Sequence, residues 1–212
     1  MNELIGRMGQ INLESNLGKQ IYALVFNNNF KNIVDVGTWN GLGSTYCILK
    51  ALEDTKNYKT NLYSVELYPD VFEAARINLK DYLDWSNFFM LNGKLIEYDE
   101  VFWFDHKKEI NFNLDMHARL WYNKDMELLK TSDNVFSKIP NQIDLLILDG
   151  GEYTTYPEWQ KLKDRTHYIV LDDTAILKCS KIRQEILSND EYEVIVDAIN
   201  DRNGYLVARR DK

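Results

Sequence analysis

A chain of 212 residues, 45% apolar and 27% charged, can build one substantial α/β domain and is short for two ordinary ones. Its 25 Lys plus Arg against 33 Asp plus Glu leave a net charge of −8. Such a surface has no general attraction to phosphate backbones, so nucleic acid is not an expected partner and a small molecule is. No apolar run approaches the ~20 residues that span a bilayer, and the opening MNELIGRMGQ lacks the apolar stretch of a signal peptide. A cytoplasmic protein is expected, with Cys47 and Cys179 as buried reduced thiols at no metal-ligand spacing.

Apolar and turn signals then alternate in a βαβ rhythm. Ile11, Leu17, Ile21, Leu24 and Val25 predict a helix over 11–27, broken by Asn27 to Asn29. Ile33 to Val36 is a short buried-strand pattern that runs into a glycine-rich turn, after which Ser44 is positioned to cap a helix reaching Leu52. Leu62 to Glu66 reads as a second strand. Asp70, with Glu73 three residues on, predicts a capped helix to about Leu83, and Phe88 to Leu91 a third strand. Ile143 to Leu148 and Tyr168 to Leu171 predict a fourth and fifth strand, 178–188 a helix, and Tyr192 to Val196 with Tyr205 to Ala208 a closing hairpin across Asn200–Gly204. That hairpin places one antiparallel strand in an otherwise parallel sheet. Residues from about 94 to 132 break the rhythm, with Phe102, Trp103, Phe104, Trp121 and Tyr122 set amid charges. A connection this long is usually structured, and a mainly helical insertion is expected: a lid or a homodimer contact within a single domain, most of its aromatics serving packing.

Three segments carry chemistry. Asp35-Val36-Gly37-Thr38-Trp39-Asn40-Gly41-Leu42-Gly43-Ser44 leaves a buried strand and enters a helix, the context of a nucleotide-binding turn. Gly37 leaves space at the strand end, Gly41 and Gly43 permit close backbone approach, the helix N-terminus favours a carboxylate, and Asp35 can accept from an ammonium group. The spacing Gly-x-x-x-Gly-x-Gly departs from the dinucleotide pattern Gly-x-Gly-x-x-Gly, so a nicotinamide-dependent oxidoreductase is the weaker reading. A catalytically silent binding module is the other alternative. Glu66, at the end of the second strand, can take both hydroxyls of a ribose.

The third element places Asp149 at the end of the fourth strand, followed by Gly150, Gly151 and Glu152, and Asp172-Asp173 at the end of the fifth. Carboxylates brought to one rim repel. They call for protonation, a basic substrate or a cation, of which a hard divalent ion is the simplest. The alternative is that Asp172 or Asp173 caps the following helix and no metal binds.

The glycine turn with its downstream acid resembles the first two motifs of the class I S-adenosylmethionine-dependent methyltransferases, over most of residues 15–210. The resemblance implies a Rossmann-like seven-stranded sheet in the order 3-2-1-4-5-7-6 with helices on both faces. It implies S-adenosylmethionine held by Asp35, Gly37, Thr38, Trp39, Asn40, Gly41, Gly43, Ser44, Glu66 and Asp149, with Leu67 on the adenine face and Asn92-Gly93 at its edge. The acids resemble those of the O-methyltransferases of catechols and sugars. That likeness implies Mg²⁺ on Asp149, Asp172 and Asp173, a catalytic set of Asp149, Glu152 and Asp172, and transfer of a methyl group to a hydroxyl of a small, sugar-like or diol acceptor. Glu152 stands where such enzymes carry His or Lys, and a raised pKa would let it act as the base. The usual Pro-Gly-Gly before the fifth strand is replaced by Asp164 to His167. His106, His117 and His167 lie in no motif and are expected at the surface or in packing.

Overall fold

The apolar run Leu145–Leu148 is completely buried and runs through the middle of the sheet, as a strand covered on both faces must. In the computed structural model residues 2–103 and 116–211 are described. The strands are β1 (Asn32–Val36), β2 (Asn61–Glu66), β3 (Phe88–Asn92), β4 (Ile143–Leu148), β5 (Thr166–Asp172), β6 (Tyr192–Ala198) and β7 (Tyr205–Arg210). They form one sheet in the order β3-β2-β1-β4-β5-β7-β6. β1 to β5 pair in parallel, and β7 runs antiparallel to both β5 and β6.

The described helices are α1 (Asn16–Asn27), α2 (Ser44–Asp54), α3 (Pro69–Asn78), α4 (Glu100–Trp103), α5 (Met116–Thr131), α6 (Thr155–Leu162) and α7 (Leu177–Leu187). Successive strand residues face opposite ways, so Ile33 joins an apolar core with Ile21 of α1 and Ile48 of α2, while Val34 joins another with Trp159 of α6 and Ile182 of α7. A third cluster, of Ile96, Val101, Met126, Leu129 and Tyr153, seats α4 and α5 beside the C-terminal ends of the strands.

Several helix starts differ from expectation. α1 begins at Asn16, because the Ser15 hydroxyl accepts the Gly18 N–H at 3.1 Å and closes the cap there. Gly43, not Ser44, precedes α2, since the Ser44 hydroxyl is drawn to Asp35. α3 opens at Pro69, which suits a first helical turn, with no side-chain cap, and Glu73 faces Arg76 instead. α3 also stops at Asn78, short of Leu83. Tyr122 packs edge-on against Tyr153, and His167 edge-on against Tyr168 near the start of β5. The expectations for Phe104 and His106, and for the side chains of Phe102, Trp103 and His117, lie outside the described residues. Both cysteines are buried and free. No described helix is long and apolar enough to cross a membrane.

Candidate functional site

The site lies where β1, β2, β4 and β5 end, the edge at which open α/β sheets hold ligands. Gly37 follows β1 with φ +94°, and a Cβ there would stand 2.2 Å from the Asp149 carbonyl oxygen. The ends of β1 and β4 therefore touch through backbone alone, and a floor without side chains results. Gly41 is also left-handed, at φ +83°, but its missing Cβ makes room for Leu79, whose Cδ1 a Cβ there would approach to 2.7 Å. It packs the turn onto the α3 region and lines neither of the two cavities described below.

Asp35 is turned inward. Its carboxylate is fully buried, accepting the Ser44 hydroxyl at 2.9 Å and the Thr45 hydroxyl at 2.5 Å, and burial pushes its pKa up to about 6. It lines neither cavity and ties the turn to α2. The Asn40 amide donates to the carbonyls of Leu4 and Arg7, which straps the N-terminal segment beside the turn. Asn92 donates to the Glu66 carbonyl at 2.8 Å, a strand-end contact that leaves its amide away from the cavities.

Glu66 ends β2 facing the turn. Its carboxylate accepts the Trp39 N–H at 2.8 Å and the Tyr68 N–H at 2.9 Å, so its orientation is fixed before any ligand arrives. Burial raises its pKa to about 7, against the pull of those N–H groups. A cavity of about 1010 Å³ opens here, with Gly37, Trp39, Glu66, Leu67, Gly93, Asp149 and Glu152 in its walls. A smaller one of about 420 Å³, bounded by residues 7–11, takes in Thr38, Gly43, Ser44 and Asp172, and shares Gly37, Trp39, Asp149 and Asp173 with the first.

The three rim acids do converge: oxygens of Asp149, Asp172 and Asp173 all lie within 4.8 Å of one another. Their compensation comes from the protein. Lys178 Nζ, on a side chain only 9% exposed, sits 2.6 Å from Asp149 Oδ1 and 2.6 Å from Asp173 Oδ2. Arg202 reaches both oxygens of Asp172 at 2.5 and 2.6 Å, and Asn203 donates to Asp173 at 3.0 Å. The donor set does not fit Mg²⁺, because each carboxylate already faces a cation at contact distance. Helix capping fails too, since Ile176 occupies the cap of α7. Burial keeps Asp149 above the ordinary carboxylate range although Lys178 opposes it. Burial raises Asp172 also, whereas at Asp173 burial is outweighed by Lys178 and Asn203, and its pKa falls. Glu152 lines the larger cavity, accepts the Lys178 backbone N–H, and is raised by burial.

Sequence reasoning passed over Lys178, Arg202, Tyr68, Asp125 and Glu158. Asp125 of α5 accepts the Tyr68 hydroxyl, and burial pushes its pKa up to about 6. Glu158 of α6 is 7% exposed, its Oε2 has no partner, and burial followed by the Asp125 charge raises it to about 8. Both line the larger cavity, with Trp121 and Lys124 of α5. One signal was available. An acidic rim with no counter-charge in its own motifs requires cations from neighbouring turns, and Lys178 and Arg202 are polar residues just beyond β5 and β6.

No protein-family model matches the chain, and no curated protein is similar to it. Solved structures are. An S-adenosylhomocysteine-bound methyltransferase from Podospora anserina superposes with a TM-score of 0.60 at 13% identity, covering 92% of this chain and 78% of that one. An O-methyltransferase from Bacillus cereus in complex with S-adenosylhomocysteine gives 0.58 at 11%, covering 96% and 84%. The O-methyltransferase TomG from Streptomyces achromogenes, involved in tomaymycin synthesis and solved with S-adenosylmethionine, gives 0.55 at 12%, covering 92% and 79%. The chain has the fold of the class I S-adenosylmethionine-dependent methyltransferases.

Proposed function

We propose that this protein is an S-adenosylmethionine-dependent methyltransferase acting on a hydroxyl of a small polar molecule. The observation that carries the reading is Glu66, held by the Trp39 and Tyr68 N–H groups in the wall of the cavity that Gly37 also lines. A ribose set against that acid is gripped by charge-assisted hydrogen bonds, with Leu67 and Gly93 lining the larger cavity beyond it. The smaller lobe beside residues 7–11 suits the amino-acid end of the donor. Six acidic side chains, of Glu66, Asp125, Asp149, Glu152, Glu158 and Asp173, line the larger cavity beside Lys124 and Lys178, and a bound sulfonium cation would favour the ionised form of those that burial holds near neutrality.

Bound S-adenosylmethionine would supply an electrophilic methyl group, which passes to the acceptor oxygen while the C–S electron pair returns to sulfur. The rest of the task is positioning and proton removal. A cavity of about 1010 Å³ is at the upper end of the roughly 300–1,000 Å³ typical of ligand sites, enough for donor and acceptor together. Glu152, half-enclosed and raised by burial, is placed to take the acceptor's proton. Trp121, Lys124 and Asp125 of α5 form the acceptor-side wall. A divalent ion is not part of this reading, because Lys178 and Arg202 hold its ligands.

Calorimetry with S-adenosylhomocysteine and with NAD⁺ tests the proposal. Saturable binding of the first alone is expected, weakened about 10-fold or more by Glu66→Ala, which removes charge-assisted bonds to the ribose. A folded protein that ignores S-adenosylhomocysteine would end the reading.

A further inference from the structure

We propose that Lys178 is the resident cation of this site: it holds the position from which a divalent ion would bridge Asp149 and Asp173, and it anchors the acceptor through one oxygen, without metal. The acceptor half of this statement rests on the methyltransferase reading. The cation half rests on geometry alone.

Oxygens of three carboxylates within 4.8 Å of one another make a pocket for a hard cation. Lys178 Nζ occupies it, 2.6 Å from an oxygen of Asp149 and 2.6 Å from one of Asp173. A magnesium ion bonded to the same two oxygens at about 2.0–2.1 Å would overlap the ammonium. The remaining carboxylate, Asp172, spends both oxygens on Arg202. Displacing the ammonium would leave a charged amine 9% exposed with no partner, an arrangement that the surrounding core disfavours.

The placement also bears on chemistry. Lys178, Asp149 and Asp173 line the larger cavity, at the same edge of the sheet as the glycine turn. An ammonium has three N–H donors, and the two carboxylates take two of them. One remains for a ligand oxygen. A divalent ion chelates two acceptor oxygens and thereby selects neighbouring hydroxyls. A single N–H requires only one, so the acceptor class is a hydroxyl compound with no need of a vicinal partner.

The test uses Mn²⁺ as probe on the full chain, by calorimetry. Wild type is expected to take up no Mn²⁺ at millimolar concentration. Lys178→Gln is expected to acquire one saturable site with a Kd at least about 10-fold below that millimolar ceiling, which a further Asp149→Asn abolishes. Uptake by wild type that Asp149→Asn removes overturns the proposal, as does a folded Lys178→Gln chain that takes up none. If Lys178→Gln does not fold, the wild-type ¹⁵N signal of the Lys178 ammonium decides. It stays sharp with Mn²⁺ present if the ammonium keeps its place, and broadens saturably if the ion displaces it. S-adenosylhomocysteine binding is scored separately: its failure removes the methyltransferase reading and leaves the cation assignment to the Mn²⁺ result. With a hydroxyl acceptor that turns over, chelator should leave wild-type kcat unchanged, and Lys178→Gln should lower kcat while S-adenosylhomocysteine affinity holds. Loss of wild-type turnover on chelation refutes the metal-free anchor.

Discussion

Glu66 and Trp39 are joined across the crevice: the carboxylate at the end of β2 accepts the backbone N–H of a residue inside the glycine turn, at 2.8 Å. The acid proposed to hold the ribose thus also holds the loop that faces it, and binding and folding share one contact. Glu66→Gln separates the two roles. An amide retains one acceptor for two N–H groups, those of Trp39 and Tyr68, and sets its NH₂ against the other. Urea denaturation is expected to show a loss of about 1–3 kcal/mol, the usual cost of a buried donor left unpaired. Affinity for S-adenosylhomocysteine should fall as well. Unchanged stability with unchanged affinity would mean that neither contact matters.

Gly37 and Gly43 offer an internal comparison. Gly37→Ala forces a left-handed backbone at φ +94° on a residue with a Cβ and drives that Cβ into the Asp149 carbonyl, 2.2 Å away. The ends of β1 and β4 would have to part, at a cost of more than about 2 kcal/mol. Gly43→Ala meets nothing closer than the Ile11 carbonyl at 3.8 Å, so without a clash to relieve it should cost clearly less than Gly37→Ala, about 1 kcal/mol. Thermal melts of the pair test this. Equal effects would contradict the geometry of the floor.

Strand positions were readable because burial on both faces leaves uninterrupted apolar runs such as Leu145–Leu148, and the ends of such runs carry the site. Glu66, Gly37, Asp149 and Glu152 all stand in the larger cavity for that reason. What the pattern hides is where a side chain spends its hydrogen bonds. Asp35 sits near a strand end like Glu66, yet Ser44 and Thr45 of the first turn of α2, nine and ten residues on, consume it. Asn40 reaches into a segment more than thirty positions upstream. Lys178 and Arg202 meet the acids only because the helix after β5 and the β6–β7 turn fold back over the same edge. Such contacts are tertiary, and no local spacing encodes them.

Stability should decline as pH rises. Burial lifts the carboxyl groups of Asp35 to about 6, Glu66 to about 7 and Glu158 to about 8, against roughly 4 in an unfolded chain. Each binds its proton more tightly in the folded state, so between about pH 4 and 8 the folded chain carries more protons and loses stability with each increment. Denaturation at about pH 5.5 and 8.5 should show the lower value at the higher pH. Glu158→Gln should remove about 1–3 kcal/mol of that difference, since its Oε2 is buried without a donor. A Glu158→Gln profile as steep as wild type would refute the assignment.

Arg202 and Asp172 supply the last test. The Asp172 side chain is 5% exposed and both of its oxygens face the guanidinium, whose own side chain keeps 27% of its surface in water. Arg202→Leu leaves a carboxylate in the interior beside Asp173, with Lys178 committed to Asp149 and Asp173. The loss is expected at about 2–4 kcal/mol, slightly below that of a wholly buried pair because the guanidinium is partly solvated. Arg202→Leu with Asp172→Asn should recover most of it, for then no charge is stranded. The double-mutant cycle by urea denaturation measures the coupling directly. If the second substitution recovers nothing, Arg202 stabilises the β6–β7 turn by packing and does not compensate the acidic rim.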